Sequence, residues 1–104
     1  MTAEPLQESP SQGGFSPSND GWIFAGALTL DDAASVLKVS QELALPANGV
    51  VDFGALMHAD SAALAVMMAL KRRAASEGRT LTIRGLPDSL RSLAVVYGIE
   101  HLLD

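Results

Sequence analysis

Residues 50–77, VVDFGALMHADSAALAVMMALKRRAASE, decide which fold the chain can adopt. The first four residues form a short apolar run that predicts a buried strand. A loop is predicted over residues 54–60, and a helix is predicted to begin at Ser61, with no charged residue in its first half. The stretch therefore predicts a hydroxyl beside the carboxylate of Asp60, at the start of a helix that follows a central strand.

The residues before this stretch predict one strand and one helix. Residues 22–25, WIFA, lie between glycines and predict a short strand. Thr29 is a suitable N-cap residue with Asp32 close to a capping-box position, so a helix is predicted to begin here. Apolar residues then recur near helical spacing and are expected to face the core: Leu30, Ala33, Ala34, Leu37 and Ala44.

The residues after the stretch predict another strand and another helix. Residues 80–84, TLTIR, alternate between polar and apolar types, which predicts a strand with Leu81 and Ile83 facing inward. Apolar residues then repeat at helical spacing and predict a helix with these side chains on its inner face: Leu90, Leu93, Ala94 and Tyr97. This alternation predicts a single α/β domain, with helices packed on a parallel or mixed sheet.

The first 20 residues differ in composition from the rest of the chain. They are rich in Pro, Ser, Gly and Gln, and their only large apolar residues are Leu6 and Phe15. Such a segment buries too little apolar surface to offset the entropy that is lost on ordering. We therefore predict a flexible leader over residues 1–20 and a folded domain over residues 21–104. A short edge strand around Phe15 is the alternative.

Composition and charge exclude several classes of protein. The net charge of −5 argues against a general nucleic-acid-binding protein. The absence of cysteine excludes a disulfide framework and thiolate chemistry. The longest uncharged apolar run, residues 62–70, is far shorter than the roughly 20 residues of a membrane-spanning helix. We therefore expect a soluble protein that reaches any membrane through a partner.

Positive charge is concentrated in residues 71–91, which hold six basic and two acidic residues. Such a cluster is typical of a solvated surface, and the alternative is a surface that faces a partner. No motif for chemistry accompanies it. His58 and His101 are isolated from other metal ligands, no phosphate-binding loop occurs, and no histidine is placed to activate Ser61. We expect a chain that is not an enzyme and that binds no metal or cofactor.

Asp60 and Ser61 have two compatible interpretations. A side-chain oxygen that caps a helix contributes about 1 kcal/mol, and this structural role is the commoner one. The functional interpretation is a docking point for a partner, or a phosphorylation site at Ser61. The helix dipole would favour a phosphate there, whereas Asp60 would oppose it. Met57, Met67 and Met68 likewise belong either to the core or to an adaptable binding surface.

Three segments together resemble a known family. They are VVDF (50–53), ADSAALAVMMALKRRA (59–74) and GRTLTIRGLPDSLRSLAVVYGIEHLL (78–103). The Asp-Ser step that enters an Ala/Leu-rich helix, the Arg pair in that helix and the ending over residues 86–99 resemble the STAS domain, which is shared by sulphate transporters and anti-sigma factor antagonists. The resemblance covers residues 21–103. It is nearest to the MlaB-like STAS subunits of the bacterial Mla phospholipid ABC transporter.

The resemblance implies a STAS fold, in which helices flank a mixed sheet, and no catalysis by this chain. It implies a cytoplasmic subunit that binds the ATPase of an ABC transporter and, through it, lies at the inner membrane. The transporter moves phospholipid between membranes and preserves the lipid asymmetry of the outer membrane. The residues around the Asp-Ser step would face the ATPase: Met57, His58, Asp60, Ser61, Ala62, Leu64, Ala65 and Met68.

A second function within the same family is that of an anti-sigma factor antagonist, which a kinase would switch by phosphorylating Ser61. In those regulators the Asp-Ser step is usually followed by a small residue and then Gly-Leu. This chain has Ala62-Ala63-Leu64 instead. Genes for a kinase and a sigma factor beside this one would indicate the regulator, and genes for an ATPase and a permease would indicate the transporter subunit.

Overall fold

The structure, a computed structural model, describes residues 13–18 and 21–103. The strands in this part of the chain are β1 (Gly14–Ser18), β2 (Gly21–Leu28), β3 (Val50–Ala59) and β4 (Thr82–Arg84). The helices are α1 (Leu30–Gln41), α2 (Ser61–Ser76) and α3 (Asp88–Val96), and a 3-10 helix follows over Glu100–Leu102. After β1, strands and helices alternate along the chain, as the sequence predicts.

The four strands form one mixed sheet in the order β1-β2-β3-β4. β1 is antiparallel to β2, whereas β2 and β3, and β3 and β4, are parallel. Parallel neighbours need a crossover connection, and α1 and α2 supply the two crossovers. The prediction of a single α/β domain with helices packed on a mixed sheet is therefore confirmed.

The helices cover one face of the sheet. Along β2, Trp22 and Phe24 are buried whereas Ile23 and Ala25 are exposed, as expected for a strand with one covered face. The buried side chains of β2 and β3 join those of the three helices in one core. α2 contributes six residues to this core: Ala63, Leu64, Val66, Met67, Leu70 and Ala74. Its apolar first half is therefore largely committed to the core.

β1 lies within the segment predicted to be a flexible leader. It pairs with β2 along its whole length, from Gly14 opposite Ala25 to Ser18 opposite Gly21. The ring of Phe15 packs against neighbouring aromatic rings, and this apolar contact offsets the ordering of an otherwise polar segment. The structure therefore shows the alternative edge strand around Phe15 within the segment predicted to be a leader. The rest of the predicted leader, residues 1–12 and 19–20, lies outside the described residues.

β3 is ten residues long instead of the predicted four, because the predicted loop over residues 54–60 continues the strand as far as Ala59. Ala55 lies opposite Ala25, and Ala59 lies opposite Leu28. The pairing of β3 with β2 shifts register twice, and the strand continues past both shifts. The strand therefore runs directly into the helix cap, and no flexible loop separates them.

Four residues that are predicted to face the core are exposed instead: Leu30, Ala34, Ala44 and Tyr97. Leu30 is the first residue of α1 and is 77% exposed. A helical side chain covers the turn that precedes it, and Leu30 has no preceding turn to cover. Tyr97 lies just beyond α3, at the C-cap. Within α3 the predicted inner face is confirmed by Leu90 and Ala94, which are buried.

Two of the clustered arginines hold the segment between α1 and β3. The guanidinium of Arg73 donates to the backbone carbonyls of Ser40 at 2.8 Å and Leu43 at 2.7 Å. Arg79 donates to the carbonyls of residues 45–47. The Ser40 carbonyl lies in the last turn of α1 and the other carbonyls lie in the segment that follows it, and the two cations give them hydrogen-bond partners. Arg73 and Arg79 therefore stabilise the fold. This role is neither the solvated surface nor the partner-facing surface that the cluster of positive charge in residues 71–91 suggests.

Candidate functional site

The candidate site lies where β3 ends and α2 begins, and Asp60 is the residue that connects them. Asp60 has an extended backbone and is the N-cap of α2. Its Oδ1 accepts a hydrogen bond from the backbone N–H of Ala62 at 2.9 Å. The sequence allowed either Asp60 or Ser61 to cap α2, and the structure shows that Asp60 supplies the cap. Ser61 is the first residue of the helix, and its side chain is exposed.

The second oxygen of Asp60 binds a different helix. Oδ2 accepts a hydrogen bond from the backbone N–H of Leu30, the first residue of α1, at 3.0 Å. One carboxylate therefore satisfies unpaired donors at the N-termini of both α1 and α2. Both termini carry the positive end of a helix dipole, so a negative charge between them is favourable. This arrangement brings the first turns of the two helices side by side.

A shallow depression lies between these two turns. It is lined by Leu30 and Ala33 from α1, by Asp60 and by three residues of α2: Ser61, Ala62 and Ala65. Three of these six side chains are alanines. Leu30 is 77% exposed, and the nearby end of β3 carries Met57, which is 69% exposed. An exposed apolar surface with small side chains suits contact with another protein.

The structure separates the predicted site residues into three groups. Five of them are exposed at the end of β3 or the start of α2: Met57, His58, Asp60, Ser61 and Ala65. Ala62 is half-buried beside them. Leu64, by contrast, is only 2% exposed and belongs to the core, so its predicted place at the surface is wrong. Met68 is half-buried and lines a separate groove with Lys71, Arg72, Ala75 and Leu102.

Sequence reasoning missed the contribution of α1. Leu30 and Ala33 line the depression, although their spacing predicted that they face the core. The signal that could have identified Leu30 is its place directly after the N-cap Thr29, where no preceding turn can cover it. Among the methionines, Met67 is fully buried, whereas Met57 is exposed. The core interpretation therefore applies to Met67 and the surface interpretation to Met57.

The described residues show no arrangement suited to metal binding. No group of three or more His, Cys, Asp or Glu side chains in residues 13–18 and 21–103 is placed to hold a metal ion. In the same part of the chain, no helix combines the length and the apolar character that crossing a membrane requires. The site therefore presents a hydroxyl, a carboxylate that accepts hydrogen bonds from two helices, and an apolar surface around them.

Comparison with known proteins identifies the family of this chain. A family model described as "Mlab, STAS domain" matches residues 24–104, which include β3, the Asp60 cap and all three helices. A comparison with curated proteins found no match. STAS domains are in general non-catalytic modules that act through contacts with other proteins. The chain belongs to the STAS domain family and is of its MlaB-like type.

Proposed function

We propose that this chain is the non-catalytic STAS subunit that binds and supports the ATPase of an ABC-type phospholipid transporter. The family match supports the proposal, because its description names the Mlab type. In that role the chain is cytoplasmic and reaches the inner membrane through the ATPase and its permease. The complex, not this chain, moves the phospholipid that maintains outer-membrane lipid asymmetry.

The proposal rests on the exposed apolar surface around Asp60 and Ser61. Leu30 is the large apolar residue of the depression and is 77% exposed, and Met57 is an exposed apolar residue of β3, the strand that leads into Asp60. Exposed apolar patches with a polar rim mark sites of contact between proteins. The alanines at positions 33, 62 and 65 let a partner approach the backbone of both helices closely. We infer that the ATPase docks on this surface around Asp60 and Ser61, which we call the docking corner.

Substitutions of Ser61 test the docking corner. Ser61→Ala adds no bulk, and Asp60 supplies the cap of α2, so this variant should bind the ATPase almost normally. Ser61→Arg and Ser61→Glu would bury an unpaired charge in the contact, which costs several kcal/mol. We expect the affinity for the ATPase to fall by about 100-fold or more, because every 1.4 kcal/mol corresponds to a factor of ten.

The assay is a binding titration with the ATPase of an ABC-type phospholipid transporter from the same organism, with circular dichroism on each variant. Ser89→Arg is the matched control, because Ser89 is also an exposed serine at the start of a helix, α3, away from the docking corner. The proposal fails if the folded Ser61→Arg protein binds the ATPase as tightly as the wild type. If instead a kinase modifies Ser61 and Ser61→Glu mimics the product, the chain is an anti-sigma factor antagonist.

A further inference from the structure

We infer that the docking surface spans both α1 and α2, and that Asp60 is the residue that positions its two halves. The identity of the partner in this inference rests on the proposed function, whereas the positioning by Asp60 does not. The decisive observation is that the two oxygens of one carboxylate accept hydrogen bonds from two helices, at Leu30 and at Ala62. Leu30 and Asp60 are 30 residues apart in the sequence.

The contact with Leu30 fixes the largest exposed side chain of the depression. Leu30 is the first residue of α1, and its N–H lacks a partner within the helix. The carboxylate of Asp60 supplies that partner, while the carboxylate of Asp32 accepts from the Thr29 hydroxyl at 3.0 Å on the other side of the same turn. Because the Leu30 backbone is held at this point, its side chain projects from a fixed position beside Ala62 and Ala65.

The chemistry of Asp60 suggests a selective substitution. A carboxylate has two acceptor oxygens, whereas the asparagine side chain has one acceptor oxygen and one donor amide. Asparagine caps helices about as well as aspartate. Asp60→Asn is therefore expected to keep the local bond to Ala62 and to lose the long-range bond to Leu30. The substitution separates the capping of α2 from the positioning of α1.

The experiment measures amide hydrogen exchange and ATPase affinity for Asp60→Asn, Leu30→Ala and the double variant in the full chain. Without any partner, Asp60→Asn should speed exchange of the Leu30 amide by roughly five- to ten-fold while the Ala62 amide changes little. Each single variant should weaken ATPase binding. The double variant should bind no more weakly than Leu30→Ala, because Asp60 acts through Leu30.

Two matched controls exclude general effects. Val96→Ala shortens another apolar side chain that is also 77% exposed, and Asp88→Asn removes an exposed carboxylate from the first turn of a different helix, α3. Both should leave the affinity unchanged. The positioning role is overturned if Leu30 exchange does not respond to Asp60→Asn, or if the two effects on affinity are fully additive. If the wild type does not bind the ATPase, the proposed function fails, and the exchange of Leu30 alone decides whether Asp60 positions α1.

Discussion

Replacing Phe15 with alanine tests whether β1 is an integral part of the domain. The centroid of the Phe15 ring lies 5.1 Å from that of Trp22, 5.0 Å from that of Phe24 and 6.1 Å from that of Phe53. Truncating a fully buried phenylalanine costs about 3–5 kcal/mol, and aromatic pairs add about 0.5–1.5 kcal/mol beyond the buried area. Because Phe15 is only half-buried, we expect a loss of roughly 2–3 kcal/mol in the free energy of unfolding.

The assay is equilibrium unfolding in urea, combined with a thermal melt. For a domain of this size each 1 kcal/mol lowers the melting temperature by roughly 4–8 °C, so Phe15→Ala should lower it by about 10–20 °C. Ser16→Ala is the matched control, because Ser16 lies in the same strand with its side chain exposed. A surface substitution of this kind should change the stability by no more than about 0.5 kcal/mol.

The stabilising role of β1 is refuted if Phe15→Ala and Ser16→Ala unfold at the same denaturant concentration. That result would mean that the edge strand contributes nothing to the folded state and that the domain begins at β2. A reduced slope of the urea transition would have a different meaning, because the slope reports the surface exposed on unfolding. It would indicate that β1 had already detached in the variant before the rest unfolded.

Two further predictions concern stability elsewhere in the domain. Arg73→Ala removes the donors to the carbonyls of Ser40 and Leu43 and should destabilise the protein by about 1–3 kcal/mol, whereas exposed Arg72→Ala should have little effect in the same urea titration. Equal effects would contradict the structural role of Arg73. Leu64→Ala should destabilise the core by about 2–5 kcal/mol but leave the ATPase affinity of the folded fraction unchanged. A loss of affinity without a loss of stability would place Leu64 at the interface after all.

The order of strands and helices could be predicted because each element carries its own local signal. The alternation of residues 80–84 and the spacing of Leu90 and Ala94 are signals of this kind. The first half of α2 is apolar on nearly every side, so the pattern fixes the existence of the helix but not its rotation. The resemblance implies that Leu64 faces a partner, and the apolar pattern of the helix alone does not show that it lies in the core.

The features that the sequence could not predict depend on contacts between distant segments. β3 continues to Ala59 because β2 pairs with it throughout, although the residues after Phe53 lack a strand pattern. β1 is ordered because the Phe15 ring finds aromatic partners in other strands. The hydrogen bond from the Leu30 amide to Asp60 joins residues on two elements, and no local rule links them. The Asp-Ser step in the sequence indicates a site at the start of α2. Only the fold shows that α1 is also part of this site.

Hydrogen exchange of the wild-type chain, with and without the ATPase of the phospholipid transporter, tests the central claim most directly. Binding of the ATPase should slow exchange at the end of β3 and in the first turns of α1 and α2, around Met57, Leu30 and Ala62. Exchange in α3 and in the 3-10 helix over Glu100–Leu102 should not change. Protection confined to α3 and that 3-10 helix, or no binding of the ATPase at all, would contradict the claim that the Asp60–Ser61 corner is the docking surface.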